Sequence, residues 1–325
     1  MAHTTIKFEH IPVLLPELLT GMAFMGNQTI VDATVGGGGH LIEVIHATQS
    51  KSAYIAIDRD PHAVSFVTER FTALVNDGIL KIKNKRFSEL HQILVEDGLM
   101  GSVDRIYADI GVSSVQLDVA ERGFSFLRSG PLDMRMNQSA GITAADVINS
   151  SPPGELASIF KEFGEEPRSS YFVNKIVARR DKAPFLTTGD LASYIAEVSP
   201  YSHSRKHPAT RIFQALRIHV NGELSELTTF LRQSFDALKV GGRLGIITFH
   251  SLEDRIVKSY FQELSAVSLP KGLPVTAQQI TAMGLGSWGK IVKPFPGEPS
   301  EEEVEFNPRS RSAKLRIIEK IKGGF

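Results

Sequence analysis

Apolar and polar residues alternate along this chain in a pattern that predicts strands and helices in turn. Short runs rich in β-branched residues predict β-strands at 29–34, 53–58, 79–83, 104–110, 243–250 and 313–319. Apolar residues spaced by three and four predict helices between the early strands, at 40–49, 61–75 and 88–97. Strands that alternate with helices are typical of a parallel sheet covered by helices on both faces. The pattern therefore predicts an α/β fold.

The alternation is interrupted between residues 114 and 241. A connection of that length is too long for one crossover, so a second module must be inserted there. Its apolar spacing and helix start signals predict helices at 144–150, 153–164, 169–182 and 187–198. A further helical region, 208–239, shows an apolar stripe that we expect to pack against the sheet. The predicted domains are a first part of the sheet domain at 1–116, an all-helical insertion at 117–205 and a second part of the sheet domain at 206–325.

The first strand leads into a glycine-rich turn. Asp32 ends that strand, glycines occupy 36–39, and His40 opens the next helical stretch. A turn without side chains lets a ligand approach the backbone and lie at a helix N-terminus. Asp58 ends the second strand, where a carboxylate suits the two hydroxyls of a ribose. These features predict a site for an adenosine-containing cofactor; the alternative is a surface turn that binds nothing.

The spacing of the glycines separates two classes of cofactor. The dinucleotide fingerprint G-x-G-x-x-G needs a third glycine, but Leu41 or Ile42 stands at that position, depending on which glycine starts the motif. The pattern D-x-x-x-G-x-G-G instead resembles the first motif of class I S-adenosylmethionine (SAM) methyltransferases. In those enzymes the turn faces the methionine part of the cofactor, so SAM is the expected ligand.

Composition narrows the class of protein further. The 325 residues are 42% hydrophobic and 22% charged, which is ordinary for a globular protein with one large domain or two. No apolar run approaches the roughly 18–20 residues of a membrane span. The N-terminus lacks the layout of a signal peptide, and there is no cysteine for a disulfide, a thiolate metal site or a nucleophile. We therefore expect a cytoplasmic protein.

The charge is balanced overall but uneven along the chain. The 36 basic residues equal the 36 acidic ones, which does not indicate a nucleic-acid-binding protein by itself. Locally basic runs nevertheless occur at 81–87, 173–182, 202–211 and 308–316. Each run is explained equally well as a solvated face. Together they can also form a patch that binds phosphates, because counterion release needs only a local excess of charge.

Three further motifs carry candidate chemistry. Asp109 ends the fourth strand, where it faces the ligands of an open α/β sheet or caps the next helix. The segment 121–136 interleaves arginines with phenylalanines and methionines, which suits base stacking and phosphate binding, or else packing of a loop onto the sheet. His250 begins a helix at the end of the fifth strand, and a structural role is its simplest interpretation. No metal site is predicted, because His203 and His207 have no evident third ligand.

Several segments closely resemble signature segments of the bacterial 16S rRNA cytosine-N(4) methyltransferase family, in family order. They are VDATVGGGGH, AIDRD, DIGVSS, ERGFSF, GPLDMRM, KHPATRIFQALRI and FHSLEDRIVK, and the likeness extends from residue 10 to residue 317. The resemblance implies a class I methyltransferase (Rossmann-like) sheet with an inserted all-helical domain. It also implies SAM as methyl donor and methylation of a cytosine in the decoding region of small-subunit rRNA.

The resemblance also implies which residues bind the cofactor. They are Gly38, Gly39, His40, Asp58, Phe87, Asp109 and Gln116. The turn and Asp109 hold the methionine end in this assignment, Asp58 holds the ribose, and Phe87 lies against the adenine. One departure concerns Val115, where the family often has a proline, so the backbone before Gln116 is less restricted here.

The expected reaction places two demands on the remaining residues. The lone pair of a cytosine amine is conjugated with its ring, so a hydrogen-bond acceptor is needed as that nitrogen attacks. We expect Asp109, assisted by Ser113, to be this acceptor. The base must also leave its stack, and the residues expected to hold the flanking RNA are Arg122, Arg128, Arg135, Lys175, Arg179 and Arg180.

Several alternatives stay open at this level. The acceptor of the methyl group is expected to be 16S rRNA, as part of an assembled small subunit or as free RNA. A small-molecule or protein acceptor would use the same cofactor site, and a ribosome-assembly factor would bind SAM without turnover. The insertion offers a dimerisation face as readily as an RNA face, so monomer and homodimer are both compatible with the sequence.

Overall fold

The computed structural model describes residues 12–200, 207–267, 286–294 and 296–323. The chain divides into two compact units. The first, here called the sheet unit, comprises His10–Gly111 and Leu224–Phe325. The second, the helical unit, comprises Val112–Glu223, of which residues 112–200 and 207–223 are described. None of the described helices is long and apolar enough to span a membrane.

The sheet unit contains one seven-stranded sheet. Its strands are β1 (Thr29–Asp32), β2 (Ala53–Asp58), β3 (Leu80–Asn84), β4 (Val103–Asp109), β5 (Leu238–Thr248), β6 (Gly289–Ile291) and β7 (Lys314–Lys320). They lie in the order β3-β2-β1-β4-β5-β7-β6, with β1–β5 parallel and β7 antiparallel to both of its neighbours. The order reverses between β1 and β4, so the carboxyl ends of these two strands form the switch point of the sheet. The predicted α/β class is confirmed.

The α-helices divide between the two units. In chain order they are α1 (Leu15–Met22), α2 (Gly39–Ala47), α3 (Pro61–Arg70), α4 (Thr72–Asn76), α5 (Leu90–Glu96), α6 (Ser114–Asp118), α7 (Ala144–Ser150), α8 (Pro153–Glu162), α9 (Ser169–Arg180), α10 (Thr188–Glu197), α11 (Ala209–Asn221), α12 (Glu223–Ala237), α13 (Ser251–Ser265) and α14 (Glu301–Phe306). Caps fix several starts: the side chains of Thr143 and Thr187 accept hydrogen bonds from the first turns of α7 and α10.

Both faces of the sheet are buried. All of β4 except its last residue is buried, as expected for a central parallel strand covered by helices on both sides. One face packs on α5, α12 and α13 through residues such as Ile93, Phe230 and Phe261. The other packs on α1, α2 and α3 through residues such as Leu18. The helical unit has its own core of apolar side chains from α7–α11, including Phe160, Phe172, Leu191 and Phe213.

The prediction of one continuous stripe over 208–239 facing the sheet is wrong for its first half. Ile212, Phe213 and Leu216 on α11 pack in the core of the helical unit, whereas Leu227 and Phe235 on α12 pack on the sheet. Gly222 separates the two helices in a left-handed conformation with φ 61°. Both helices share the same period, so apolar spacing alone does not reveal that their stripes face different cores.

Candidate cofactor site and active site

Three carboxylates end neighbouring strands at the switch point of the sheet. Asp32 ends β1, Asp58 ends β2 and Asp109 ends β4. The strands run β2-β1-β4 in parallel, so all three side chains lie at the same edge. This is the edge at which open α/β sheets bind their ligands.

The glycine turn that follows β1 is held in one conformation. Gly36 and Gly38 adopt positive φ angles of 50° and 75°. A residue with a side chain adopts such angles only at a cost in conformational energy. A Cβ on Gly38 would lie 2.8 Å from Cε2 of Phe71. From the outer side, Nη1 of Arg70 donates to the carbonyl of Gly37 at 2.7 Å. The turn therefore needs glycine at these positions, and its backbone carries no side chain that would keep a ligand away.

The N-terminus of α2 supplies donors at this turn. Gly38 is the N-cap, and no side chain caps the helix, although the first amides of a helix have no partner within it. Gly39 and His40 are the first two residues of α2. Their amides, together with the positive end of the helix dipole, suit the carboxylate of a methionine moiety.

Asp58 joins the second strand to the glycine turn. Its carboxylate accepts hydrogen bonds from the amides of Gly36 and Asp60, both at 2.8 Å. Burial raises the pKa of Asp58 to about 6, although these hydrogen bonds oppose the shift. An ionised carboxylate has about four acceptor positions, so it can bind a ribose diol while it keeps both amides. This fits the role that the resemblance implies.

Asp32 is the most perturbed of the three carboxyls. It is 2% exposed and accepts hydrogen bonds from the Thr34 amide at 3.1 Å and from the Tyr107 hydroxyl at 2.9 Å. Burial, with a smaller contribution from the charges of Asp58 and Asp109, raises its pKa to about 7. Three carboxylates that repel one another in a buried place favour a cationic ligand, and SAM carries a sulfonium and an ammonium group.

Asp109 is fixed by contacts on either side. Its amide donates to Thr34 Oγ1 at 2.7 Å, and its Oδ1 accepts from the Gly111 amide at 3.3 Å. His40 Nδ1 lies 3.9 Å from Asp109 Oδ2, while His40 Nε2 lies 2.9 Å from the Val13 carbonyl. A carbonyl only accepts, so Nε2 carries a proton and the ring is oriented with Nδ1 toward Asp109.

The remaining predicted cofactor residues lie in two places. Phe87 begins a 3₁₀ turn after β3 and packs edge-to-face on Phe230, with ring centroids 5.0 Å apart. Ser113 and Gln116 lie in the helical unit and hold each other: the Ser113 amide donates to Gln116 Oε1 at 3.0 Å, and the Gln116 amide donates to Ser113 Oγ at 3.2 Å. Their roles at the cofactor stay predictions.

Four of the six residues predicted to bind RNA have their guanidinium groups engaged within the helical unit. Arg122 is buried and donates to the carbonyl of Met136 at 2.7 Å. Arg135 forms a bidentate pair with Asp133, and Arg179 forms one with Asp190. Arg180 donates to the carbonyl of Ile148 at 2.7 Å. These contacts organise the helical unit.

Arg128 and Lys175 are the two predicted RNA residues that are exposed. Arg128 donates one N–H to the carbonyl of Asp118 at 3.1 Å. Lys175 lies with its Nζ 5.7 Å from the ring centre of Tyr171, which is itself exposed. A cation beside an exposed aromatic ring is a combination that binds phosphate and base together.

The phenylalanines of segment 121–136 pack inward. Phe124 is buried, and the ring of Phe126 lies 4.9 Å from that of Phe213 and 4.7 Å from that of His207. The packing alternative therefore describes Phe126, which lies on the core of the helical unit rather than on the sheet. His203 lies outside the described residues.

Basic run 81–87 is neutralised by nearby acids. Lys81 and Lys83 pair with Asp97, and Arg86 pairs with Glu226. For this run the solvated-face interpretation describes the structure. Part of run 202–211 lies outside the described residues.

Four residues that the sequence analysis did not single out hold the backbone and side chains of the candidate site in place. Thr34 Oγ1 accepts a hydrogen bond from the backbone amide of Asp109, and the Tyr107 hydroxyl donates to the carboxylate of Asp32. Arg70 and Phe71 fix the glycine turn. Thr34 and Tyr107 each lie two residues from a predicted acid, Asp32 and Asp109. In a strand, that spacing places side chains on one face, and this was the available signal.

We expect the stability of the unliganded protein to fall as the pH rises through the titration range of Asp32. Its folded-state pKa is raised from 3.8 to about 7, so the folded protein keeps a proton that the unfolded chain releases. That contribution to stability is complete below about pH 4 and is lost by about pH 7. Asp32→Asn removes it. The free energies of unfolding of both proteins are measured with urea at about pH 5 and at about pH 8. Between these two pH values the difference between the proteins should shift by a few kcal/mol in favour of the variant. Parallel pH profiles would contradict this assignment.

The chain is similar to known proteins over nearly its whole length. The MraW methylase family matches residues 7–321. Ribosomal RNA small subunit methyltransferase H of Shewanella oneidensis is 43% identical over 317 residues, which cover 97% of this chain and 98% of that protein. The enzyme of the same name from Shewanella pealeana is 44% identical over 319 residues, covering 98% of each. Both relatives are matched over nearly their whole length.

Proposed function

This chain belongs to the MraW methylase family, and from that premise we propose that it transfers a methyl group from SAM to the exocyclic N4 amine of one cytosine in the decoding region of 16S rRNA. Its relatives at 43–44% identity are named as methyltransferases of small-subunit rRNA. The observation that carries the proposal is Asp109, an oriented carboxylate at the switch point beside the glycine turn. The rRNA substrate places the enzyme in the cytoplasm.

The sheet unit binds and orients the methyl donor. SAM supplies a methyl group that is already activated by its sulfonium charge. The amides of Gly39 and His40 would hold its carboxylate, and Asp58 would hold its ribose. Phe87 would cover the adenine. Because the glycine turn is fixed by Arg70 and Phe71, the donor meets a preformed surface, and alignment for in-line transfer supplies much of the rate.

Asp109 acts on the methyl acceptor. The amine of cytosine must lose conjugation with its ring as it attacks, and a carboxylate that accepts its N–H hydrogen bond favours this change. The carboxylate also stabilises the positive charge that develops on the nitrogen and accepts the proton that the methylated amine loses. Thr34 and Gly111 hold the backbone and one oxygen of Asp109, which leaves Oδ2 for the amine. Ser113 assists from the start of the helical unit.

The helical unit recognises the RNA, and its exposed cations contribute most to affinity. Arg128→Ala and Lys175→Ala should each weaken binding to the small subunit and lower the slope of log K against log salt by about one. Arg122→Ala should chiefly lower the free energy of unfolding, because a buried donor network is lost. Filter binding across salt concentrations, with urea unfolding, separates these effects. Lys258→Ala, an exposed lysine of the sheet unit, is the charge-matched control.

The result that would contradict this ranking is a salt slope unchanged by Arg128→Ala and Lys175→Ala but lowered by Arg122→Ala. A loss of SAM affinity in the first two variants would indicate a structural role instead. The engaged guanidinium groups of Arg135, Arg179 and Arg180 should give intermediate effects.

The proposed function is tested by its product. The protein is incubated with labelled SAM and either unmodified small subunits or naked 16S rRNA, and the digested nucleosides are identified by mass spectrometry. We expect labelled N(4)-methylcytidine, with the assembled subunit as the better substrate. Label in a different nucleoside, or no label in either RNA while SAM binding is intact, would overturn the proposal. The second result would favour a small-molecule or protein acceptor.

A further inference from the structure

Phe249 occupies a place beside Asp109 to which no function has been assigned. In the parallel pairing of β4 with β5, Asp109 lies opposite Ile247. Two residues further on, Gly111 and Phe249 meet: a Cβ on Gly111 would lie 2.7 Å from Cε2 of the Phe249 ring and 2.9 Å from Cδ2. The alternation of side chains along strands places Asp109, Gly111, Ile247 and Phe249 on one face. Phe249 packs against the apolar core that also contains Leu18 and Leu41, yet the residue is only partly buried.

The segment that carries Phe249 is held by a buried carboxylate. Glu253 is 2% exposed, and its Oε2 accepts from the Phe249 amide at 2.8 Å and from the His250 amide at 3.2 Å. His250 is the N-cap of α13, and its Nδ1 accepts from the Glu253 amide at 3.4 Å. These reciprocal contacts fix the backbone where β5 turns into α13. The H-S-L-E segment that follows Phe249 therefore fixes the backbone of the residue that carries the ring.

The chemistry of the site calls for such a ring. A base that leaves its stack loses stacking energy, and enzymes that act on single bases replace this with aromatic or apolar surfaces. The residues that follow Asp109 on its own strand are Ile110, Gly111 and Val112, none of which is aromatic. Phe249 comes from the neighbouring strand, and the missing side chain of Gly111 makes room for it.

We propose that Phe249 is the stacking surface for the target cytosine, with Gly111 admitting its ring and Glu253 fixing its backbone. This inference rests on the proposed function. Two residues of a parallel strand advance about 6.6 Å, and neighbouring strands lie about 4.8 Å apart. A single pyrimidine spans such a separation, so a cytosine lying on the ring directs its amine to Asp109. Phe249 is a substrate-binding residue, and Glu253 is a positioning residue.

The test compares Phe249→Leu with Phe249→Trp on unmodified small subunits. Base–aromatic stacking predicts that Phe249→Leu lowers kcat/KM for the RNA by about ten- to a hundredfold, while the Kd for SAM stays within twofold. Phe249→Trp restores most of the activity, because an indole stacks as well as a phenyl ring. Phe306→Leu is the control, since Phe306 is 76% exposed on α14.

A double-mutant cycle addresses a merely structural effect. Gly111→Ala displaces the ring, so it should lower kcat/KM strongly in the native background and little in the Phe249→Leu background. Full activity of Phe249→Leu, a loss of SAM affinity parallel to the loss of activity, failure of Phe249→Trp to recover activity, or additive effects in the cycle would each overturn the inference. These outcomes presuppose an active native protein, so they differ from failure of the proposed function, in which the native protein makes no N(4)-methylcytidine.

Discussion

Asp109→Asn is expected to lower kcat for rRNA methylation by about 10²- to 10⁴-fold, the range for removing a group that accepts or transfers a proton in the transition state. The amide keeps the size of the side chain and one acceptor for the Gly111 amide. It loses the negative charge that faces the attacking amine, and its NH₂ group donates where an acceptor is needed. Single-turnover rates with saturating SAM measure the effect on chemistry directly.

The binding of SAM distinguishes this role from a purely structural one. We expect the Kd for SAM to rise far less than kcat falls, because Asp109 is only one of the groups proposed to hold the donor, and the amides of α2 and Asp58 are unchanged. Asp77→Asn is the matched control, an exposed aspartate at the end of α4 in the same unit, and should leave both quantities unchanged. Full turnover of Asp109→Asn with unchanged SAM affinity would refute the assigned role.

Gly38→Ala is the second substitution for which we expect a large effect. At φ 75° a Cβ costs about 1–2 kcal/mol, and at this position it also meets Cε2 of Phe71 at 2.8 Å. Relief requires movement of Phe71, which packs in the core beneath the turn, or of the turn itself. Overpacking of this kind adds about 1–3 kcal/mol. We expect lower stability and a Kd for SAM raised by at least about tenfold.

Gly78→Ala separates the two contributions. Gly78 has nearly the same φ, 70°, but nothing lies within 4 Å of its Cβ position. It should show the backbone cost alone, with SAM binding unaffected. Thermal unfolding and calorimetric titration of both variants suffice. If Gly38→Ala bound SAM as tightly as the native protein, the turn would not be the cofactor surface that we describe.

The sheet was predictable because its strands are short, apolar and regularly separated by amphipathic helices. The predicted strand at 53–58 coincides with β2, and the helices predicted at 144–150 and 169–182 match α7 and α9 to within two residues. The β6 strand escaped prediction because Gly289–Ile291 is too short to show alternation. The break at Gly222 was also missed, since its signal is one left-handed glycine inside an unbroken helical period.

The candidate site was partly predictable for a related reason. Its carboxylates end strands, and a strand end can be recognised in a sequence. The hydrogen-bond partners of the arginines could not be predicted in this way. Whether Arg122 or Arg179 is free for RNA depends on a carbonyl or carboxylate that the fold brings near, and charge patterning does not report such partners.

The cluster of Asp32, Asp58 and Asp109 has a consequence for the end of the catalytic cycle. Transfer of the methyl group turns the positively charged sulfonium of the donor into a neutral thioether. At the proposed cofactor site the cationic donor favours the ionised form of the buried carboxyls, whose pKa burial raises to about 7 for Asp32 and to about 6 for Asp58. The Coulomb attraction that draws the reactant in is weaker for what is left behind. The same acidic edge that captures a fresh donor thus favours departure of the spent one, which limits inhibition by the product.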